Sequence, residues 1–250
     1  MCDLEISFWI LIAFLLLYEP ILGYFSFQRF KEKVKIEENI RVKYYVHTII
    51  GLWIPTIFIL FLILITDLTL REIGLTIPAI NPLILGSAVT YIGLGIAFLY
   101  FLLILYYSIG YHFSKKIKSQ LTNAKEQQSA KVSFSAILPV TKKEQKLWNY
   151  VSFTAGVTEE IIYRGFLLFA IAYLSPNVSI WLVILLSSLL FGLAHTYQGA
   201  LGVLRTTLIG VLFSILYIGL GSILPLIALH FLIDYAAKLG DTRYTHINPV

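Results

Sequence analysis

Thr158-Glu159-Glu160-Ile161-Ile162-Tyr163-Arg164-Gly165 is the stretch on which the reading of this chain turns. It lies inside an apolar run extending from Trp148 to Leu174. Two adjacent carboxylates and a guanidinium in a segment otherwise suited to hydrocarbon each cost about 2.5–3.5 kcal/mol on insertion scales. A chain that keeps three such groups within six residues is expected to use them, and the rest of the sequence can be searched for groups that point at the same place.

The surroundings are those of a bilayer protein. Of 250 residues, 58% are hydrophobic and only 13% charged, and the mean hydropathy is +0.81. A soluble domain cannot bury that much apolar surface. The lone cysteine, Cys2, excludes an internal disulfide framework. The amino terminus, Met1-Cys2-Asp3-Leu4-Glu5, is acidic and lacks a small-residue cleavage site, so the first apolar run is expected to be a retained helix and not a signal peptide. Phosphate-cradling glycine loops, basic-aromatic patches for nucleic acid, internal repeats and low-complexity tracts are absent from the sequence.

Crossing about 30 Å of hydrocarbon takes about 20 apolar residues in a helix, and open strands cannot span lipid. On that basis the chain is expected to be an all-α polytopic membrane protein of about seven transmembrane helices, over residues 8–26, 48–66, 83–111, 147–174, 178–196, 201–219 and 222–239. Glu19-Pro20 interrupts the first of these, and has no functional account at this stage. Lysine and arginine crowd loops 27–47 and 112–146, whereas 67–82 holds only Arg71, and 175–177 and 220–221 hold none. Arg205, Lys238 and Arg243 fall on the basic side. The positive-inside bias then puts the protein in the cell membrane with its amino terminus outside and its carboxy terminus in the cytoplasm. The net charge of +5 is assigned to lysines at the lipid surface. Four parts follow: three amino-terminal helices in 1–111, a basic cytoplasmic linker in 112–146, a functional core in 147–240 and a cytoplasmic tail in 241–250.

Within the last four helices few residues are foreign to lipid. Glu159, Glu160 and Arg164 lie on the fourth, His195 ends the fifth, and His230 and Asp234 lie on the seventh. Glu160 and Arg164, four apart, share a helix face and can pair. Glu159 is turned about 100° away, which leaves it free. His230 and Asp234 repeat the four-residue offset, as do Phe191 and His195. A cavity holding these groups suits water activation: a carboxylate acts as general base, one histidine orients the water or shuttles its proton, and another polar pair stabilises an oxyanion. Alternatively Glu159, His195 and His230 form a ligand set for a divalent metal such as zinc, without an HExxH motif. The residues alone leave both open.

The ordered motifs Glu159-Glu160-Ile161-Ile162-Tyr163-Arg164 (EExxxR), Phe191-Gly192-Leu193-Ala194-His195 (FxxxH) and His230-Phe231-Leu232-Ile233-Asp234 (HxxxD) resemble the CPBP family of intramembrane proteases. That family includes the type II CAAX prenyl endopeptidases and bacterial bacteriocin-processing or immunity (Abi) proteins. The resemblance covers about residues 145–240, and Leu70-Arg71-Glu72-Ile73-Gly74-Leu75 resembles a segment that precedes the core in that family. It implies a catalytic core in the last four helices, with Glu159 activating water, His195 assisting, Glu160 and Arg164 holding geometry, and His230 and Asp234 completing the site on the oxyanion side. The family often carries asparagine at the last position, and Asp234 departs from that pattern.

The expected partners are a membrane protein or peptide substrate and the lipid bilayer, with no nucleic acid. The substrate would be of the CAAX type or a leader or signalling peptide. Two other readings use the same residues. One is a non-catalytic membrane protein on this scaffold, conferring bacteriocin self-immunity or acting as an adaptor. The other is an ion-coupled transporter with Glu159, Glu160 and Asp234 as a relay, which would call for inverted repeats that the sequence lacks. His47, His112 and His246 are read as solvated groups of loops or tail, Tyr163, Ser187 and Ser188 as helix packing, and Arg205 as snorkelling. The terminal Ile247-Asn248-Pro249-Val250 has no CaaX cysteine.

Overall fold

In a computed structural model, which describes residues 2–34, 36–129 and 133–241, the chain is a bundle of helices with no strand among the described residues. Helix α1 (Cys2–Leu17), a π turn (Tyr18–Gly23) and α2 (Tyr24–Lys33) run on continuously, followed by α3 (Ile40–Ile65), α4 (Ser87–Phe113) and α5 (Lys115–Ser129). Then come α6 (Lys142–Glu159), a π segment (Glu160–Leu167), α7 (Leu168–Leu174), α8 (Ile180–Leu193), α9 (Ala200–Leu220) and α10 (Leu224–Ala237). Lys35, Lys131, Arg243, His246 and the terminal Ile247-Asn248-Pro249-Val250, which entered the charge and terminus readings, lie outside the described residues.

Each of the seven apolar runs falls on helix, and the chain is an all-α polytopic membrane protein. Leu4–Lys33, Ile40–Ile65, Ser87–Phe113 and Ala200–Leu220 are long and apolar enough to cross a membrane. The continuous run from Lys142 to Leu174 carries the charged triplet. Helices α8 and α10, of 14 residues each, reach only about 21 Å at 1.5 Å per residue, shorter than the spans expected over 178–196 and 222–239. A 3₁₀ turn at Thr196–Gln198 ends the first, and Gly221, with φ of 60°, turns the chain before the second.

Several boundaries differ from expectation for local reasons. Pro20 lacks an N–H, yet the Glu19-Pro20 interruption does not end the helix: a π turn absorbs it and the helix continues into the basic segment. His47, expected in a loop, lies in α3. His112, also expected in a loop, is in the last turn of α4 and pairs with Tyr235 Oη at 3.0 Å. The polar linker 112–146 is not featureless. It contains α5, which is tied to the end of α10 by Lys125 Nζ donating to the Ala237 carbonyl at 2.9 Å.

The helices gather around three apolar clusters. The largest joins Phe8, Leu11 and Leu15 of α1 to Ile59 and Leu62 of α3 and to Ile162, Phe166 and Leu167 of the π segment. The second joins Phe27, Phe30 and Tyr45 to Trp148 and Val151, and the third joins Ala97 and Ile104 to Phe213, Leu216, Leu226 and Leu229. Because lipid is as apolar as a leucine side chain, close backbone contact takes over from hydrophobic burial in holding such helices together. A Cβ on Gly156 would lie 3.1 Å from the Ile227 carbonyl and the Phe231 N, so α6 and α10 meet at backbone distance beside the acidic pair. Trp148 Nε1 donates to the Asp234 carbonyl at 2.9 Å along the same seam.

At one end of the bundle, the segment after α3 wedges under the π segment. Ile73 is fully buried, and a Cβ on Gly165 would stand 2.6 Å from the Ile73 carbonyl. Ile223 N donates to Gly74 O, Ala79 N to Leu220 O and Asn81 N to Gly219 O, closing that end with main-chain bonds. Thus Leu70–Leu75 lies directly against the helix that carries Glu159, Glu160 and Arg164. Gly165→Ala forces a backbone shift and is expected to lower unfolding stability in detergent by about 1–3 kcal/mol. Gly95→Ala, where the added Cβ meets nothing within 4 Å, is expected to be neutral or slightly stabilising in the same thermal or denaturant titration.

Candidate active site

The acidic pair sits where α6 gives way to the π segment. A π turn leaves backbone groups out of the i→i−4 ladder, and one is satisfied from outside: Ser187 Oγ of α8 donates to the Tyr163 carbonyl at 2.9 Å. Ser187, read from sequence as ordinary packing, is therefore a bond that helps hold the widened helix.

Behind the site, Glu160 and Arg164 are 0% and 1% exposed. Arg164 Nη1 donates to Glu160 Oε1 at 3.0 Å, the pairing expected from their spacing. The guanidinium lies over the ring of Phe191 at 4.1 Å and that of Phe213 at 5.1 Å, so two aromatic faces replace part of the water it lost. Phe213, on α9, carries no sequence signature; one phenylalanine in an apolar helix looks like any other.

Glu160 Oε1 serves a second donor. His230 Nδ1 lies 2.6 Å from it. Since that oxygen already accepts from Arg164, the imidazole is the donor, and Nε2 is the nitrogen left to face the cavity. His230 Nε2 stands 3.8 Å from Glu159 Oε2 and 3.8 Å from Asp234 Oδ2. Both distances exceed hydrogen-bond reach, so these contacts are electrostatic or pass through water. Glu159 Oε2, Glu160 Oε2 and Arg164 Nη2 are buried without a hydrogen-bond partner among the described residues.

Five of the six residues singled out from sequence, Glu159, Glu160, Arg164, His230 and Asp234, thus form one contact chain. His195 lies apart from it. Its Nδ1 is 2.9 Å from the Phe191 carbonyl, which can only accept, so Nδ1–H donates and Nε2 is the free nitrogen. Its ring packs on Phe191 at 4.9 Å and on Tyr197 at 5.7 Å. His195 was expected to assist Glu159, and it lines the same cavity, while His230 is the histidine in charge contact with Glu159. His195 follows the end of α8 at Leu193, and its Nδ1 bond to the Phe191 carbonyl fixes the ring against that helix.

All of these groups except the buried Glu160–Arg164 pair line a cavity of about 880 Å³, shared by Glu159, His195, His230 and Asp234. Its lining also comes from the amino-terminal helices and includes Glu19 and Tyr44. Arg205, expected to snorkel, is at the cavity rim with Nη2 donating to Gln198 Oε1 at 2.7 Å. Among the described residues no group of three or more His, Cys, Asp or Glu side chains is placed to hold a metal ion. Glu159, His195 and His230 are not brought together as such a three-ligand group in this arrangement.

Residues 145–236 match the family described as type II CAAX prenyl endopeptidase Rce1-like. Neither the curated proteins nor the solved structures give a match to the chain.

Breaking a buried ion pair from one side leaves the other charge stranded and costs about 3–5 kcal/mol. Arg164→Met is expected to destabilise the protein by that amount, and Glu160→Leu combined with Arg164→Met to recover part of the loss. Glu159→Gln removes an unpartnered buried oxygen's charge and is expected to leave stability unchanged or raise it. Denaturant titration of the four proteins in one detergent checks the order.

Proposed function

Residues 145–236 belong to the type II CAAX prenyl endopeptidase Rce1-like family, and from that premise we propose that the protein is an intramembrane endopeptidase working by water activation at Glu159. The observation that carries this reading is the convergence of Glu159, His230 and Asp234 on one large cavity, with His230 held from behind by Glu160 and Arg164.

In the proposed reaction, a water beside Glu159 gives a proton to the carboxylate as its oxygen adds to the scissile carbonyl. His230, its Nδ1 committed to Glu160, uses Nε2 to orient that water or to take and return the proton. Collapse of the tetrahedral intermediate breaks the C–N bond, and the proton passes to the departing amine. The ion pair contributes by fixing the imidazole before substrate arrives, so that no reorganisation is needed during the step. His195 presents its free Nε2 to the same cavity and would bind the substrate's backbone or a second water. Asp234 is assigned the far side of His230; as an anion it is ill suited to stabilise an oxyanion directly.

The substrate is proposed to be a membrane-bound polypeptide of the CAAX type or a leader or signalling peptide. The orientation proposed has the basic end in the cytoplasm of the cell. It is supported by the clustering of α5, the start of α6 and the end of α10, where Lys142, Lys146 and Lys238 share a small pocket. Zinc dependence is the competing form of the chemistry. We expect well below one metal ion per chain on elemental analysis and no loss of cleavage with chelator, either result reversed pointing to zinc.

Glu159→Gln and His230→Ala are expected to lower kcat by a factor on the order of 10²–10⁴ without loss of folded protein. His195→Ala is expected to act more on KM. Processing of a farnesylated-cysteine peptide and of a leader peptide by the purified proteins gives the readout. Cleavage undiminished in the Glu159 variant would remove the proposal.

A further inference from the structure

Glu19, left without a role by the mechanism, lines the same cavity as Glu159. It stands in the π turn Tyr18–Gly23, and its carboxylate lies across Gly23, whose hypothetical Cβ would be 3.1 Å from Oε2. Glu19 makes no hydrogen bond or ion pair with any other described residue. The cavity does contain cations from this chain, among them Arg29 and Arg205. Arg205 is held by Gln198 instead.

The position of the turn is fixed, which argues against an incidental charge. Thr196 Oγ1 donates to the Pro20 carbonyl at 2.9 Å, tying the residue after Glu19 to the one after His195. The surrounding surface is aromatic. Tyr18 stacks on Phe14 at 4.8 Å, Tyr197 packs beside His195, and Tyr44 lies against Phe30 at 4.6 Å; Phe14, Tyr18, Tyr44 and Tyr197 all line the cavity. A carboxylate set among aromatic faces, without a cation of its own, complements a cationic group brought by a ligand through charge pairing and cation–π contact. At membrane depth an unpaired carboxylate is costly, and an incoming ammonium or guanidinium removes that cost.

We infer that Glu19 is a specificity residue that receives a lysine or arginine side chain of the polypeptide substrate while Glu159 works on the peptide bond. The inference rests on the endopeptidase reading for its substrate class. It adds that substrates carry a basic residue at a fixed distance from the scissile bond, and that the amino-terminal helices, not the family core, select it.

The test uses the full chain in detergent with a quenched-fluorescent peptide series, farnesylated and unmodified, in which one lysine is walked through successive positions against norleucine controls. In the wild type one lysine position is expected to raise kcat/KM at least tenfold over its norleucine control, and Glu19→Gln to reduce that ratio at least tenfold. Glu19→Asp is expected to retain part of the preference and Glu19→Lys to invert it. Binding of the same peptides to the Glu159→Gln protein, with and without Glu19→Gln, is measured in parallel. A lysine-dependent affinity lost with Glu19, in the absence of any cleavage by wild type, would overturn the protease reading and keep this inference. Cleavage with no lysine preference, or with a preference that Glu19→Gln leaves intact, overturns the inference and keeps the protease. No binding and no cleavage of any peptide overturns it as well.

Discussion

One oxygen, Glu160 Oε1, anchors the site. It accepts from Arg164 on its own helix and from His230 on α10, and both bonds are buried. In a medium where water cannot compete, such charge-assisted bonds are worth more than at a surface, and leaving either partner alone is correspondingly costly. The position of His230, the aromatic stacking on Arg164 and the close approach of α6 to α10 at Gly156 all depend on this junction. The pair contributes specificity of arrangement: it defines one rotation of α10 against the acidic helix, and that rotation is the one that turns Nε2 toward Glu159.

Much of this was legible in the chain. Helical class, the seven apolar runs and the Glu160–Arg164 pairing follow from hydropathy and a four-residue spacing. The burial of charge in an apolar segment singled out Glu159, Glu160, Arg164, His230 and Asp234, which the fold brings into contact, before any geometry was known. What was not legible depends on contacts between elements distant in sequence. His195 and His230 are equivalent on paper, each ending or lining an apolar helix, and only the fold shows that the second is bonded to Glu160 and the first to the Phe191 carbonyl. Phe213 and Ser187 have side chains that suit lipid-facing or packed positions alike, so their support of Arg164 and of the Tyr163 carbonyl had no sequence signal. Glu19 did have one, a carboxylate beside a proline in an apolar run, but nothing in the sequence joined it to residues 140 positions away.

The two halves of the chain therefore divide the cavity differently from the way they divide the sequence. The carboxy-terminal part, where the family match lies, brings Glu159, His195, His230 and Asp234 to the cavity. The amino-terminal helices supply another part of its lining and, through Ile73 against Gly165, part of the packing that supports the acidic helix. A core shared across a family can thus keep its chemistry while the rest of the lining is free to vary in shape and charge.

The π segment carries a consequence for how this helix tolerates length changes. Over Glu160–Leu167 the backbone is wound wider than an α-helix, and its bonds are completed partly by a serine on another helix. Losing one residue there would let the segment relax to ordinary α winding with its internal hydrogen bonds improved. The wider turn already absorbs an additional residue, so the helix beyond would largely keep its direction, but a loss between Glu160 and Arg164 would set the guanidinium three residues from the carboxylate in place of four. Residue number, not only residue type, is fixed across these eight positions.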